Sequence, residues 1–136
     1  MSILWSDRLK IGVPVIDGQH KALFDCQQNL ARECQKGLDS GEVLSATLDF
    51  LETYVRQHFA DEEDFMHRHD CEKIESHIEE HKYFIRKVEQ IRQEYQEKGV
   101  SKNLIWFVDH YLLHWITTHI MSFDQTLKFC SDKEPL

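Results

Sequence analysis

The sequence predicts an all-α fold, an up-down-up-down four-helix bundle with an extended N-terminal arm. Apolar residues recur every three or four positions in four long stretches, the spacing that gives a helix one apolar face. Five glycines and two prolines among 136 residues leave few points at which a helix would break. No segment alternates apolar and polar residues as a half-buried strand does. Short turns between the stretches favour antiparallel neighbours, as in a bundle.

The bounds of the elements follow from their start and stop signals. We expect a single domain over residues 1–136, with an arm at 1–16 and helices at about 17–37, 41–67, 72–98 and 102–130. The arm carries Trp5 and has no helical period. Asp17 is the predicted N-cap of the first helix and Ser101 that of the fourth, while Gly99 ends the third.

Charge and composition exclude several classes of partner. A net charge of −8 argues against nucleic acid and against contact with an anionic membrane. The sequence contains no apolar run of membrane-spanning length and no signal-peptide pattern, so we expect a cytoplasmic protein. The cysteines show no CxxC spacing and are expected to be reduced, half-buried thiols at Cys26, Cys34, Cys71 and Cys130.

A pair of histidines on the third helix is the centre of the functional interpretation. His77 and His81 are four residues apart, so they lie about one turn apart on the same face of a helix. That face continues the apolar stripe through Ile78, Phe84 and Val88, so both imidazoles are expected to point into the bundle. Two imidazoles in this arrangement can bind one metal ion.

The other three stripes also contain polar residues where a core requires hydrocarbon. A single buried histidine is most simply explained by a hydrogen bond to a neighbouring carbonyl. Five on four facing helices are not, because each unsatisfied buried polar group costs about 1–3 kcal/mol. Alternating helix directions bring all of them towards one end of the bundle. The candidate ligands are His20, His58, Glu62, His77, His81 and His119.

Five imidazoles are too many for one tetrahedral zinc site, but they suit two bridged metal ions, and imidazole with carboxylate suits iron. We propose Asp124 as a second carboxylate. It lies five residues after His119, about 140° further around an ideal helix. Either the aspartate reaches around from the flank, or a π-type widening brings it beneath the histidine.

Order and spacing of these seven residues resemble the hemerythrin family, and the run from Gly12 to His20 resembles the bacterial hemerythrins in particular. The resemblance implies two iron ions (Fe2+/Fe3+) with a bridging oxo or hydroxo group. His20 and His58 would hold one ion, His77, His81 and His119 the other, with Glu62 and Asp124 as bridges. O2 would bind at the open position of the two-histidine iron. The walls of its pocket would be Leu23, Phe24, Phe59, Trp115, Ile116 and Ile120.

The function implied by this resemblance is reversible O2 binding, for oxygen sensing or for oxygen carriage or storage. The protein would not be an enzyme, apart from residual peroxidase or oxidase activity. The chain also resembles in length the hemerythrin domain that ends a bacterial methyl-accepting chemotaxis protein, which implies an upstream chemoreceptor signalling domain as a partner.

Three alternatives have different chemistry. His77, Glu80 and His81 match the inverted zincin signature, although Glu80 falls towards the solvated side and the strands of such peptidases are not predicted. A di-iron oxidase, peroxidase or nitric-oxide-handling protein would use the same ligands. Iron storage, or a purely structural bundle, is the third alternative. An optical spectrum under air distinguishes them, since only a reversible oxygen adduct disappears on degassing.

Overall fold

Four helices make up most of the chain in the structure, a computed structural model. It describes residues 9–36, 41–124 and 127, and for Cys34 and residues 122–124 it describes the backbone alone. The helices are α1 (Pro14–Gln35), α2 (Gly41–Arg68), α3 (Ile74–Lys98) and α4 (Lys102–Thr118). A π-helical turn, His119–Asp124, continues α4.

The helices pack as an up-down-up-down bundle, so the predicted fold class is confirmed. α1 packs against α2 and α4, and α2 packs against α3. Their apolar stripes meet in one core that includes Leu30, Leu48, Val55, Val88 and Leu112. Burial of these side chains is the main term that holds the four helices together.

The first helix begins earlier than predicted, at Pro14 rather than Asp17. Proline is favoured in a first helical turn because its φ is already helical and its missing N–H would be unpaired there anyway. Gly12, with φ of 87°, makes the bend just before the helix. Asp17 is therefore not an N-cap. It lies within the first turn and accepts hydrogen bonds from the backbone N–H of Ile11 (2.8 Å) and Gly12 (3.1 Å).

The ends of α3 and α4 follow the predicted signals. The hydroxyl of Ser101 accepts a hydrogen bond from the backbone N–H of Leu104 at 3.0 Å, which confirms it as the N-cap of α4. Gly99 ends α3 with φ of 77°, and its N–H donates to the carbonyl of Tyr95. α3 starts at Ile74, two residues after the predicted bound, because Lys73 has a left-handed backbone with φ of 65°.

The arm contacts the bundle where the structure describes it. Leu9 joins the main core, and Ile11 joins a second cluster with Ile16, Phe65, Met66, Cys71 and Leu127. Trp5 and the predicted end of the fourth helix at residue 130 lie outside the described residues. Among the described residues, no helix is both long enough and apolar enough to cross a membrane.

One expectation about the cysteines is wrong. Cys71 is disulfide-bonded, whereas we predicted reduced thiols throughout. Pairing requires two Cα atoms within about 7 Å, a property of the fold that spacing along the chain does not reveal. Cys26 does carry a free thiol, and burial raises its pKa to about 11.

Candidate metal centre

Six of the seven predicted ligands meet in the bundle interior and form two groups that share one carboxylate. The two-histidine group consists of His20, His58 and Glu62. The three-histidine group consists of Glu62, His77, His81 and His119. Within each group the potential ligand atoms lie within 4.8 Å of one another, and all six side chains are buried. Each helix of the bundle contributes to the pair of groups, with His119 directly after the end of α4.

The Glu62 carboxylate lies between the two groups. Its Oε1 faces the Nε2 atom of His20 at 3.6 Å and also contacts Nε2 of His58. Oε2 faces Nε2 of His77 at 3.2 Å and Nε2 of His81 at 3.9 Å. His119 approaches Oε1 at 3.4 Å. One oxygen therefore faces the two-histidine group, and the other faces two members of the three-histidine group, as a bridging carboxylate requires.

The outer nitrogens of two ligands fix which nitrogen carries the proton. Nδ1 of His81 lies 2.8 Å from the Glu63 carboxylate, which can only accept, so Nδ1 donates. Nδ1 of His58 lies 2.7 Å from Oε1 of Gln19, whose own Nε2 donates to Asp61 at 2.6 Å. Because the Asp61 carboxylate accepts, the Gln19 amide can only present its oxygen to His58. In both histidines the lone pair is therefore on Nε2, which points to the centre.

Aromatic rings hold two histidines of the three-histidine group from their faces. Phe59 is stacked on His81 with ring centroids 3.7 Å apart and planes within 5° of parallel. Trp115 is stacked on His119 at 4.4 Å and 13°. Such contacts restrict rotation of the imidazoles, so the direction of each Nε2 is set before any ion binds.

The chemistry of this donor set fits a pair of metal ions. Neutral imidazoles whose lone pairs face a carboxylate repel it, and protonating several of them side by side would bring like charges together in a buried site. Cations between the nitrogens and the carboxylate remove both conflicts. Imidazole with carboxylate is a donor set that iron and zinc both accept, and two groups sharing Glu62 match two ions.

Asp124 is the seventh predicted ligand. It is the last residue of the π-helical turn, and its side chain lies outside the described residues. Hydrogen bonds in a π-helix join residues five apart, so the backbone at position 124 lies one turn beyond His119. Of the two routes left open by the sequence, the structure contains the helix widening.

The six predicted pocket residues are all buried in the same core, with exposed fractions of 7% or less. The ring of Phe59 also lies 5.7 Å from that of His58 and 6.0 Å from that of His119. Ile120 follows His119 in the π-helical turn and is 1% exposed. Apolar side chains therefore lie against both groups. The pocket prediction names Leu23, Phe24, Phe59, Trp115, Ile116 and Ile120.

Sequence reasoning missed the outer hydrogen-bond partners Gln19 and Glu63. Each is adjacent in sequence to a predicted ligand, and that adjacency is the only signal for them. Partial burial raises the pKa of Glu63, and the neighbouring His77 opposes that shift. Glu80, the possible general base of a zincin, belongs to neither group among the described residues.

Comparison with known proteins decides the family. The sequence model described as the hemerythrin HHE cation binding domain matches residues 11–128. The chain belongs to the hemerythrin family. Members of this family bind O2 at a di-iron site, and the match covers every residue of the two groups.

Individual hemerythrins are similar over most of their length. The bacteriohemerythrin of Clostridium acetobutylicum is 28% identical over 125 residues, which cover 90% of this chain and 95% of the relative. That of Stenotrophomonas maltophilia is 30% identical, covering 90% of this chain and 77% of the relative. The myohemerythrin of Theromyzon tessulatum is 26% identical over 78% of this chain and 82% of its own.

A solved crystal structure of a point-mutant protein has the same fold. It superposes with a TM-score of 0.78 and covers 96% of this chain and 98% of that one. At 23% sequence identity, this likeness shows the fold alone.

Proposed function

We propose that this hemerythrin-family chain binds O2 reversibly at a non-haem di-iron centre, for oxygen sensing or for oxygen carriage or storage. The observation that carries the proposal is the division of the buried donors into two groups that share Glu62. His20 and His58 would hold one ion, and His77, His81 and His119 would hold the other. Glu62 would bridge the ions, with Asp124 as the second bridge.

A bound pair of ferrous ions would supply the two electrons that reversible O2 binding requires. The residues of this chain favour that reversal in two ways. Five neutral imidazoles donate less negative charge than the carboxylate-rich sites of oxygenases, which disfavours further oxidation. The buried apolar pocket residues exclude water. They therefore also exclude the protons that would cause irreversible release of the reduced oxygen.

The two groups differ in their number of nitrogen donors, which supports one open coordination position. The two-histidine group supplies two nitrogens and the three-histidine group supplies three, with Glu62 common to both. The ion with fewer protein ligands keeps more room for a small ligand, as catalytic metal sites do. We therefore assign O2 binding to the side of His20 and His58.

Iron analysis with a visible spectrum tests the proposal. Chains loaded with Fe2+ without oxygen should contain two irons, develop a charge-transfer band under air, and lose it on degassing. One zinc per chain would overturn the di-iron centre. Irreversible turnover, with consumption of a reductant or of peroxide, would instead favour a di-iron oxidase or peroxidase. Offering nitric oxide in place of O2 tests whether the chain is instead a nitric-oxide-handling protein.

Sensing and storage differ in partners rather than in the centre. For sensing, we propose that the chain is cytoplasmic and that an upstream chemoreceptor signalling domain responds to the binding of O2 at the centre. A comparison of hydrogen exchange with and without O2 tests this. Changes that spread to the described N-terminal residues 9–13 favour sensing, and changes confined to the pocket favour storage.

A further inference from the structure

The two groups of the centre differ in what holds the outer nitrogen of a ligand. His81, in the three-histidine group, donates from Nδ1 to a carboxylate, Glu63, at 2.8 Å. His58, in the two-histidine group, donates from Nδ1 to a neutral amide, Gln19, at 2.7 Å. The hydrogen bonds are of similar length, so charge is the main difference between them.

Glu63 is well placed to act on His81. Its side chain is 30% exposed, so much of its charge is shielded from water, while the imidazole itself is 1% exposed. Phe59 lies parallel to the same ring at 3.7 Å. The carboxylate fixes the ring in its plane and the phenyl fixes it from one face, which leaves Nε2 one direction in which to point.

His58 is connected to a carboxylate through its outer nitrogen only indirectly, because the neutral amide of Gln19 lies between them. That amide accepts from His58 and donates to Asp61 at 2.6 Å, and Asp61 also accepts from Gln57 at 2.9 Å. The nearest carboxylate of this chain of contacts is thus one side chain further from the ligand than Glu63 is from His81. An amide oxygen is also a weaker acceptor than a carboxylate.

We propose that Glu63 is a positioning residue that makes the three-histidine group the tighter of the two metal-binding groups, and that Gln19 leaves the two-histidine group the weaker. This rests on the proposed di-metal function. A carboxylate that accepts from the outer N–H increases the electron donation of the imidazole, and loss of such partners costs 10–100-fold in metal affinity in general. The ion beside the open position is then the one that is held less tightly.

Anaerobic titration of the full-length apoprotein with Co2+ tests the order of binding, followed by visible absorption and by competition with a chelator. The wild type should bind two ions in separate steps. Glu63→Gln keeps an acceptor for His81 and removes only the charge, so it should weaken the first step about 10–100-fold and leave the second. Gln19→Leu should weaken the second step and leave the first.

Asp64→Asn is the matched control. It removes one negative charge at the next position of α2, where the carboxylate is exposed and pairs with Arg68 at 2.9 Å. Both steps should be unchanged within about twofold, because a solvent-screened charge contributes little. Circular dichroism of each apoprotein checks that the helices are intact.

A charge exchange gives an independent arm. The double variant Gln19→Glu/Asp61→Asn keeps the net charge and moves the carboxylate onto His58, so it should tighten the second step. A first step that Glu63→Gln leaves unmoved, or moves no more than Asp64→Asn does, overturns the inference while two ions still bind. A wild type that binds fewer than two ions overturns the proposed function itself.

Discussion

Truncation of one proposed ligand separates two roles of a buried histidine in this protein, which are packing within the bundle and donation to a metal ion. His81→Ala removes a side chain that is stacked on Phe59 at 3.7 Å and bonded to Glu63 at 2.8 Å. In the apoprotein the loss is one of packing and of one hydrogen bond. In the metal-loaded protein it is also the loss of one donor from the three-histidine group, which leaves Glu62, His77 and His119.

The packing loss can be put at about 2–5 kcal/mol, the range for buried large-to-alanine changes. Glu63 is partly exposed, so water can replace its lost donor and the lower half of that range is expected. With an unfolding entropy of about 2.1 cal/mol/K per residue, a chain of 136 residues loses about 3–4 °C of Tm per kcal/mol. Apoprotein His81→Ala should therefore melt about 7–12 °C below the apo wild type.

The loss of metal affinity is measured separately, as a smaller difference in the free energy of unfolding between metal-loaded and apo protein. Binding to the folded state alone stabilises by RT ln(1 + [L]/Kd), so each tenfold loss of affinity removes about 1.4 kcal/mol of the gap between loaded and apo protein. The assay is urea unfolding of four samples, wild type and His81→Ala, each apo and with excess Zn2+. His114→Ala, an exposed histidine of α4, is the control. An equal loaded-minus-apo gap in wild type and His81→Ala would refute the assignment of His81 as a ligand.

Three further predictions concern the pocket, the core and a thiol. Ile120→Glu places an acid beside the centre and should speed stopped-flow decay of the oxygenated band relative to Ile120→Leu; equal rates would mean that Ile120 does not line the pocket. Gln27→Leu removes the buried donor that Asp109 accepts at 2.7 Å and should cost about 2 kcal/mol in urea unfolding, recovered in part by the added Asp109→Leu; strictly additive effects would contradict this coupling. With a pKa of about 11, the thiol of Cys26 is far less ionised at pH 8 than an ordinary cysteine, so alkylation should be at least about tenfold slower in folded than in unfolded chain, by peptide mass mapping, and equal rates would show an accessible thiolate.

The burial and convergence of the candidate ligand residues could be predicted from sequence because the face that each residue occupies depends on local periodicity. Histidines at positions 20, 58, 77, 81 and 119 stand within apolar stripes, and a stripe that faces a core forces its polar members inward together. Their convergence at one end followed from the alternating directions of antiparallel helices. The confirmed capping by Ser101 is local in the same sense, since it involves residues three apart.

Features that depend on three-dimensional neighbours could not be predicted in this way. The disulfide of Cys71 requires two distant segments to meet, and Asp17 turned out to bind the N–H groups before the helix rather than those within it. Gln19 and Glu63 look like ordinary surface residues in sequence. Only the contact with an outer imidazole nitrogen, across 39 and 18 residues of chain respectively, gives them a role.

The shared carboxylate links the two halves of the centre to the stability of the whole bundle. Glu62 lies on α2 and faces histidines from α1, α3 and the turn after α4, so each bound ion would tie α2 to at least one other helix. At the opposite end, the start of α2 and the end of α3 are joined by conventional contacts, such as the Tyr95 hydroxyl that donates to the Gly41 carbonyl at 3.2 Å. Metal binding would therefore contribute folding energy only at the end of the bundle that carries the ligands. Loss of the ions should therefore loosen the ligand end first, and local opening of the helices at that end would admit a small ligand to the centre.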